Sequence, residues 1–410
     1  MTGRRATTRC GETTPGMRRA RRTMAELKFP IGPQHPALKE PENLRFAVDG
    51  EVVVDADIRI GYVHRSIERS CSERNFVQDL YLCERVCGIC SNAHTQAYCM
   101  AVEQIAEFEI PERAQWIRML MHEFERIHSH LLWLGVAGHE VGFESLFMYV
   151  WRDREVIQDI LEMVSGNRGH YAMTMLGGVR YDITDEMTTR IREGVEFLRG
   201  RAEHYADIAT SEQTFLDRAA DVGTVSGELC QELGACGPVL RASGVGYDVR
   251  RAFPYLQYDQ VEFPIRTSEL CDVLGRTLVR VQEVIDACDI ITQCLDMMPE
   301  GDVNARFPRK VPEGEATVRI EAQRGELIYY IRSNGSDVPE RVKIRTPTLA
   351  NLPASLEMVT GGYIADIPIA FASIDPCFSC TDRMVVLDDV GSGETTTMTW
   401  PELVKLGRNR

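Results

Sequence analysis

Four cysteines stand in two pairs at opposite ends of the chain, Cys87 and Cys90 in ERVCGICSNAH and Cys377 and Cys380 in DPCFSCTDR. Thiolates separated by two residues grip one ion from a single turn, and soft sulfur donors select zinc, nickel, copper or iron-sulfur clusters over hard cations. A zinc ribbon keeps its two pairs roughly 15 to 20 residues apart, whereas nearly the whole protein lies between these. A shared site would close the entire domain. Spacing leaves structural zinc, a cluster and a catalytic transition metal open. The flanking Asp375-Pro376 and nearby arginines favour catalysis, because structural zinc has little use for titratable neighbours.

Other groups carry weaker signals. Glu40 lies in a loop stiffened by Pro33, Pro36 and Pro41, with Glu42 two residues on, and by itself reads as a solvated acid. Arg324, in EAQRGEL, reads as a strand-end arginine facing water. His122, His128 and His130 share one segment, but residues two apart do not share a helix face, so hydrogen-bonded structural roles are expected. The remaining cysteines, Cys83 and Cys99 near the first motif among them, complete no CxxC and are expected to pack as small apolar residues.

The elements that must position these groups are legible in the periodicity. Phe46, Val48, Val52, Val54 and Ile58 alternate around Asp49-Gly50, a β-hairpin pattern. Ser91 is expected to cap a helix to about Glu107, which puts the Cys87/Cys90 loop at a helix N-terminus, where N-H groups and the dipole favour thiolate. Pro111 opens a second helix whose apolar stripe runs through Ile117, Leu120, Phe124, Ile127 and Leu131. Further helices are expected from about Phe143 to Val164, ending at Gly166, from Asp185 to Thr210, and from Thr267 to Met297 with Leu270 and Leu274 in its core face. Past Gly301 come strands through Val318 and Ile320, through Leu327, Tyr329 and Ile331, and from Val342 to Thr346, with a turn at Asn334-Gly335. Long amphipathic helices without a βαβ rhythm indicate an α+β, mainly α fold: a long-helix bundle core with peripheral antiparallel strands at both ends.

A chain of 410 residues with 44% hydrophobic residues supports a sizeable core, and a formal charge of -15 argues against nucleic acid as a partner. Thirteen irregularly spaced cysteines with no secretory segment point to a reducing compartment. No apolar run reaches the roughly 18 residues of a membrane span, so membrane association is expected through partners. Residues 1-23 are rich in Arg and Thr and are expected to be a disordered tail or an early start, leaving 24-410 as one domain. No GxGxxG follows a strand, and no further cysteine set has cluster spacing.

RVCGIC with His94, and DPCFSCTDR, resemble the two nickel-binding motifs of [NiFe] hydrogenase large subunits. GPQHPALKEPE from Gly32, GYVHRSIE from Gly61, ERIHSHLLWLG from Glu125 and SGNRGHYAMTMLGGVRYDI from Ser165 are similar to the membrane-bound, energy-converting branch related to respiratory complex I, and the likeness runs from about Leu27 to Arg383. The resemblance implies nickel on all four sulfurs and iron, with carbonyl and cyanide ligands, sharing Cys90 and Cys380. Cys87 and Cys377 are then terminal.

It further implies that Glu40 relays protons, that Arg324 overhangs the metal pair with Asp375 holding it, and that His94 donates to a bridging sulfur. Gln323 stands where the family has proline before this arginine, which questions the loop's stiffness. Many relatives bind a divalent ion such as magnesium through a glutamate matching Glu68 and a terminal histidine. Arg383 replaces that histidine here, weighing against proteolytic trimming of the tail, and its guanidinium is expected to take the ion's place beside Glu68.

The implied partners are a small [4Fe-4S] subunit, complex I-like soluble and membrane subunits, ferredoxin, H2 and protons, at the cytoplasmic face of the membrane. Two rivals remain from the residues: the quinone-site subunit of complex I, which lacks the four cysteines, and a zinc scaffold. A soluble cofactor-reducing hydrogenase would share the cysteines.

Overall fold

The computed structural model describes residues 27–382, with 385–388, 395–398, 402 and 405–406 beyond them. The expected tail at 1-23 and Arg383 lie outside the described residues. At the N-terminal end β1 (Leu27–Ile31), β2 (Asn43–Asp49) and β3 (Val52–Arg59) form an antiparallel sheet in that order. Leu44, Phe46, Val48 and Val53 turn inward, and Gly50 supplies the left-handed turn residue at φ 65°. The loop between β1 and β2 carries Glu40 and Glu42. It starts at Gly32, where a Cβ would stand 1.9 Å from the Glu42 carbonyl oxygen, so only glycine lets the loop fold back.

Helices follow: α1 (Ile67–Cys71), α2 (Phe76–Glu84), α3 (Ser91–Ile105), α4 (Glu112–Glu140) and α5 (Glu144–Ser165), the last ended by Gly166 at φ 81°. After a two-residue hairpin, β4 (Thr174–Met175) and β5 (Gly178–Val179), comes α6 (Asp185–Ser211). Short helices α7 (Gln213–Ala219), α8 (Gly227–Glu232), α9 (Pro238–Arg241) and α10 (Val249–Ala252) lead to α11 (Val273–Met297). The bundle is α4 packed on α5 and α11, with α6 against α11. Ile117, Leu120, Phe124, Ile127 and Leu131 are all buried in it, as the apolar stripe predicts.

Strands β6 (Glu313–Ala322), β7 (Gly325–Asn334) and β8 (Pro339–Arg345) form a second antiparallel sheet, and β6 and β7 lie against α3. Helices α12 (Pro347–Val359), α13 (Ile367–Ala372) and α14 (Phe378–Thr381) carry the chain to the second cysteine pair, before β9 (Val385–Asp388) and β10 (Thr395–Met398). This is the expected helical bundle with antiparallel strands at both ends.

β8 starts at Pro339, three residues before the expected Val342, and two helix starts near the site differ from the sequence reading. Ser91 is the first helical residue rather than the cap; Cys90 occupies that position without a side-chain bond, and the N-H groups of Asn92 and Ala93 donate to the Glu125 carboxylate at 2.6 and 2.9 Å. The helix expected from Thr267 starts only at Val273. Cys271 adopts φ 63°, which a helix cannot include, and Asp272 caps the Gly275 N-H at 2.7 Å. Leu270 is consequently 46% exposed rather than core.

The sequence also conceals a charge cluster between α4, α11 and β6. Arg241 bonds Glu283 and Glu321, Arg250 bonds Asp248 and Glu123, and Arg126 pairs with Glu123, all at 3.2 Å or less and all buried. His130 pairs with Glu283 at 2.9 Å. His122 bonds the Glu321 carbonyl at 2.8 Å, and His128 accepts from Arg154 at 3.1 Å, so the three histidines are structural as expected.

Candidate metal centre

The two cysteine pairs meet. Cys87 Sγ lies 3.5 Å from Cys377 Sγ and Cys90 Sγ 3.7 Å from Cys380 Sγ, although each pair is 290 residues apart in sequence, and Cys377 and Cys380 are 3.1 Å apart. All four are at most 5% exposed. Sulfurs about 2.3 Å from one tetrahedral ion stand roughly 3.8 Å from each other; Cys87, Cys377 and Cys380 lie within 4.8 Å of one another and fit a shared ion, and Cys90 adjoins them through Cys380, grouped with it and His94.

Local structure prepares the sulfurs for charge. The N-H groups of Ile89 and Cys90 donate to Cys87 Sγ at 3.3 and 3.2 Å, at the mouth of α3. Neighbouring thiols, Cys377 first, then Cys380 and Cys90, hold Cys87 well below the ordinary thiol range. Burial first, and then the other sulfurs, push Cys380 well above it. Four thiolates at this separation repel one another in a dry site, so full ionisation requires a cation among them. Nickel with iron fits this donor set.

Arg324 sits in the two-residue turn between β6 and β7. Its Nε donates to the Asp375 carbonyl at 2.7 Å and its Nη2 to Asp375 Oδ1 at 2.9 Å, while Nη1 has no hydrogen-bond partner among the described residues. Asp375 keeps the guanidinium charged against the cost of burial. Asp375 itself is left-handed, φ 57°, which aims its carbonyl and carboxylate at the same arginine. The missing proline is offset: Gln323 is fully buried and donates to Glu125 Oε2 at 2.9 Å, tying the turn to α4.

Glu40 reaches the start of α14. Its carboxylate accepts from the N-H groups of Phe378 and Ser379, the latter at 3.1 Å, and from the Ser379 hydroxyl. Glu42 is 1% exposed, and burial, then Glu40 and Asp382, push its pKa up to about 9. Glu40, Glu42, Cys87, Cys377, Arg324 and Asp375 all line one cavity of about 310 Å³, with Trp133 opposite.

His94 Nε2 lies 3.5 Å from Cys380 Sγ. Glu68 accepts from Lys343 Nζ at 2.6 Å and from the Ile344 N-H at 2.9 Å. The expected Glu68-Arg383 pair falls outside the described residues.

Two positioning residues escaped the sequence reading. Arg65 donates to the carbonyls of Arg85 and Val86 at 2.7 Å each and of Ser379 at 3.1 Å, stapling the segments before Cys87 and Cys380 to each other. Glu125 caps α3 and holds Gln323. Arg65 lies within GYVHRSIE, and Glu125 opens ERIHSHLLWLG, so the motifs contained both without revealing their partners.

Comparison with known proteins bears on the metal. The model for the respiratory-chain NADH dehydrogenase 49 kDa subunit matches residues 140–311 and 307–383, and that for nickel-dependent hydrogenases matches residues 65–135, which include the first cysteine pair. The carbon monoxide-induced hydrogenase of Rhodospirillum rubrum is 42% identical over 88% of this chain and 100% of its own. The chain belongs to the complex I-related [NiFe] hydrogenase large subunits. Membership makes it an oxidoreductase acting on H2. The membrane-bound hydrogenase subunit alpha of Pyrococcus furiosus is 40% identical over 93% of this chain and 92% of its own. Among solved structures, a chain of the membrane-bound sulfane sulfur reductase, an archaeal respiratory membrane complex, superposes with a TM-score of 0.83 at 33% identity, covering 87% of this chain and 98% of the other. Among the described residues no helix is long and apolar enough to cross a membrane.

Proposed function

We propose that this chain is the catalytic subunit of an energy-converting [NiFe] hydrogenase, interconverting H2 with protons and electrons. The observation that carries it is the convergence of four buried sulfurs from the two ends of the chain. Cys87, Cys90, Cys377 and Cys380 would hold nickel, and Cys90 and Cys380 would share an iron bearing carbonyl and cyanide ligands. When bound, the pair supplies the Lewis acidity that polarises H2 for heterolysis.

The protein supplies the base and the exit. Arg324, held charged by Asp375, is a poor proton acceptor and acts as fixed positive charge beside the reacting atoms. That leaves the terminal thiolates, Cys87 and Cys377, and of these the Sγ of Cys377, whose following residues bond Glu40, would take the proton. Glu40, bonded to the residues next to Cys377, is placed to receive it at a carboxylate oxygen and pass it outward. Trp133, Phe371 and Leu132 on the cavity wall limit water there.

Electrons leave through a partner: a small [4Fe-4S] subunit, then ferredoxin. Complex I-like membrane subunits would couple the reaction to ion translocation and hold residues 24-410, as one domain, at the cytoplasmic face. The relatives' names, which include a membrane-bound hydrogenase and a respiratory membrane complex, support this arrangement. The test is metal analysis of the purified complex together with exchange between H2 and deuterated water. Nickel and iron with exchange support the reading; zinc alone, or no metal and no exchange, overturns it.

A further inference from the structure

His94 does not act on the cysteine cluster alone. Its Nε2 faces Cys380 Sγ at 3.5 Å, while Nδ1, on the other side of the ring, lies 2.7 Å from the hydroxyl of Tyr329. Tyr329 is the inward residue midway along β7, paired with Val318 on β6 and 0% exposed, and its ring meets the imidazole edge-on at 5.8 Å between centroids. His94 is itself 1% exposed.

We propose that Tyr329 is a positioning residue that fixes the tautomer of His94 and thereby the hydrogen bond that Cys380 receives. This rests on the reading of the four sulfurs as metal-bound thiolates. Such a sulfur has only lone pairs to offer, so a favourable contact requires the proton on Nε2. A neutral imidazole then has a bare Nδ1, which accepts from the Tyr329 O-H. The opposite tautomer would set the Nε2 lone pair against the sulfur lone pairs. Burial, then neighbouring Cys83 and Cys71, push the Tyr329 pKa up, so the phenol keeps the proton it must donate. Donation into Nδ1 polarises the ring and strengthens the Nε2-H bond to sulfur, the cooperative behaviour of a buried chain.

The readout is the infrared spectrum of the iron-bound carbonyl and cyanide in the purified complex. Tyr329→Phe removes the donor while keeping the ring. The sulfur then loses its hydrogen bond, electron density on iron rises, and the bands move to lower wavenumber. Replacing Tyr329 by a fluorinated tyrosine, a stronger donor of the same shape, moves them the opposite way and covers the case in which the phenylalanine variant does not assemble. His94→Gln supplies an amide N-H that needs no tautomer, so Tyr329→Phe in that background adds no further shift. Tyr330→Phe, on the outer face of β7 where its hydroxyl bonds Glu315, leaves the bands in place.

Unshifted bands in both Tyr329 variants, or an equal shift with and without His94, overturn the proposal. A parent complex without such bands overturns the nickel-iron reading itself, and the proposal with it.

Discussion

At the scale of single residues, the proposed function depends on a few polar groups that line one cavity. Glu40 is bonded to the turn that carries Cys377 and Cys380, and the acid-base role assigned to it gives a direct expectation. Glu40→Gln, isosteric and unable to carry a proton onward, should lower H2 turnover by about 10² to 10⁴-fold while nickel and iron contents stay at parent levels; unchanged turnover would remove it from the proton route. Asp79, on α2, makes a pH prediction. Its carboxylate is buried, and burial, only partly offset by Arg74 and by the Cys71 thiol, pushes its pKa up to about 8. From about pH 4 to about pH 8 the folded state therefore retains a proton that the unfolded chain has released, and stability falls as pH rises through that window. Asp79→Asn should flatten this part of the profile, seen as a smaller drop in the thermal midpoint of the complex between mildly acidic and mildly alkaline buffer. An unaltered drop would show that Asp79 ionises freely in the fold.

At the scale of elements, the site is made by short connections clamped between long helices. The β6-β7 turn bearing Arg324 is pressed against Gly237, whose Cβ would stand 2.4 Å from Gly325 Cα and 2.5 Å from the Arg324 carbonyl oxygen, at a φ of 67°. Gly237→Ala should cost on the order of 2 kcal/mol or more and displace Arg324, so activity should fall alongside thermal stability; a fully active, equally stable variant would show that the turn can yield. Much of this layer was readable beforehand. The existence of the hairpin at Asp49-Gly50, of α4 and of the strands around Tyr329 follows from period, but the buried faces do not: α4 is buried on all sides from Trp116 to Leu131, and in the hairpin Val53 turns inward while Val52 and Val54 are exposed. What escaped were features settled by tertiary partners: the late start of α11 at a left-handed Cys271, the capping of α3 by Glu125 from another helix, and the stapling of both cysteine segments by Arg65. Composition and spacing carry no trace of such long-range bonds. Four cysteines could be named as one site, whereas the bonds of Glu68 to Lys343 and to the Ile344 N-H could not.

At the scale of the whole molecule, the bundle is closed by charge as well as by apolar packing. Arg241 is fully buried between Glu283 and Glu321, with Asp248 3.7 Å away. Removing it leaves two carboxylates without their cation, and Arg241→Ala should cost about 3 to 5 kcal/mol, enough to abolish recovery of folded complex; recovery at parental yield would mean that water or a rearranged arginine replaces it. Sequence reading treats such residues as surface, since charged side chains are rarely interior unless paired. The same closure brings the two ends of the chain together at the sulfurs, and the hydrogenase assignment depends on it. X-ray absorption at the nickel edge of the purified complex tests that most directly. Nickel surrounded by sulfur donors with an iron neighbour is the predicted result; a complex without nickel, or with nickel lacking sulfur ligands, would contradict it.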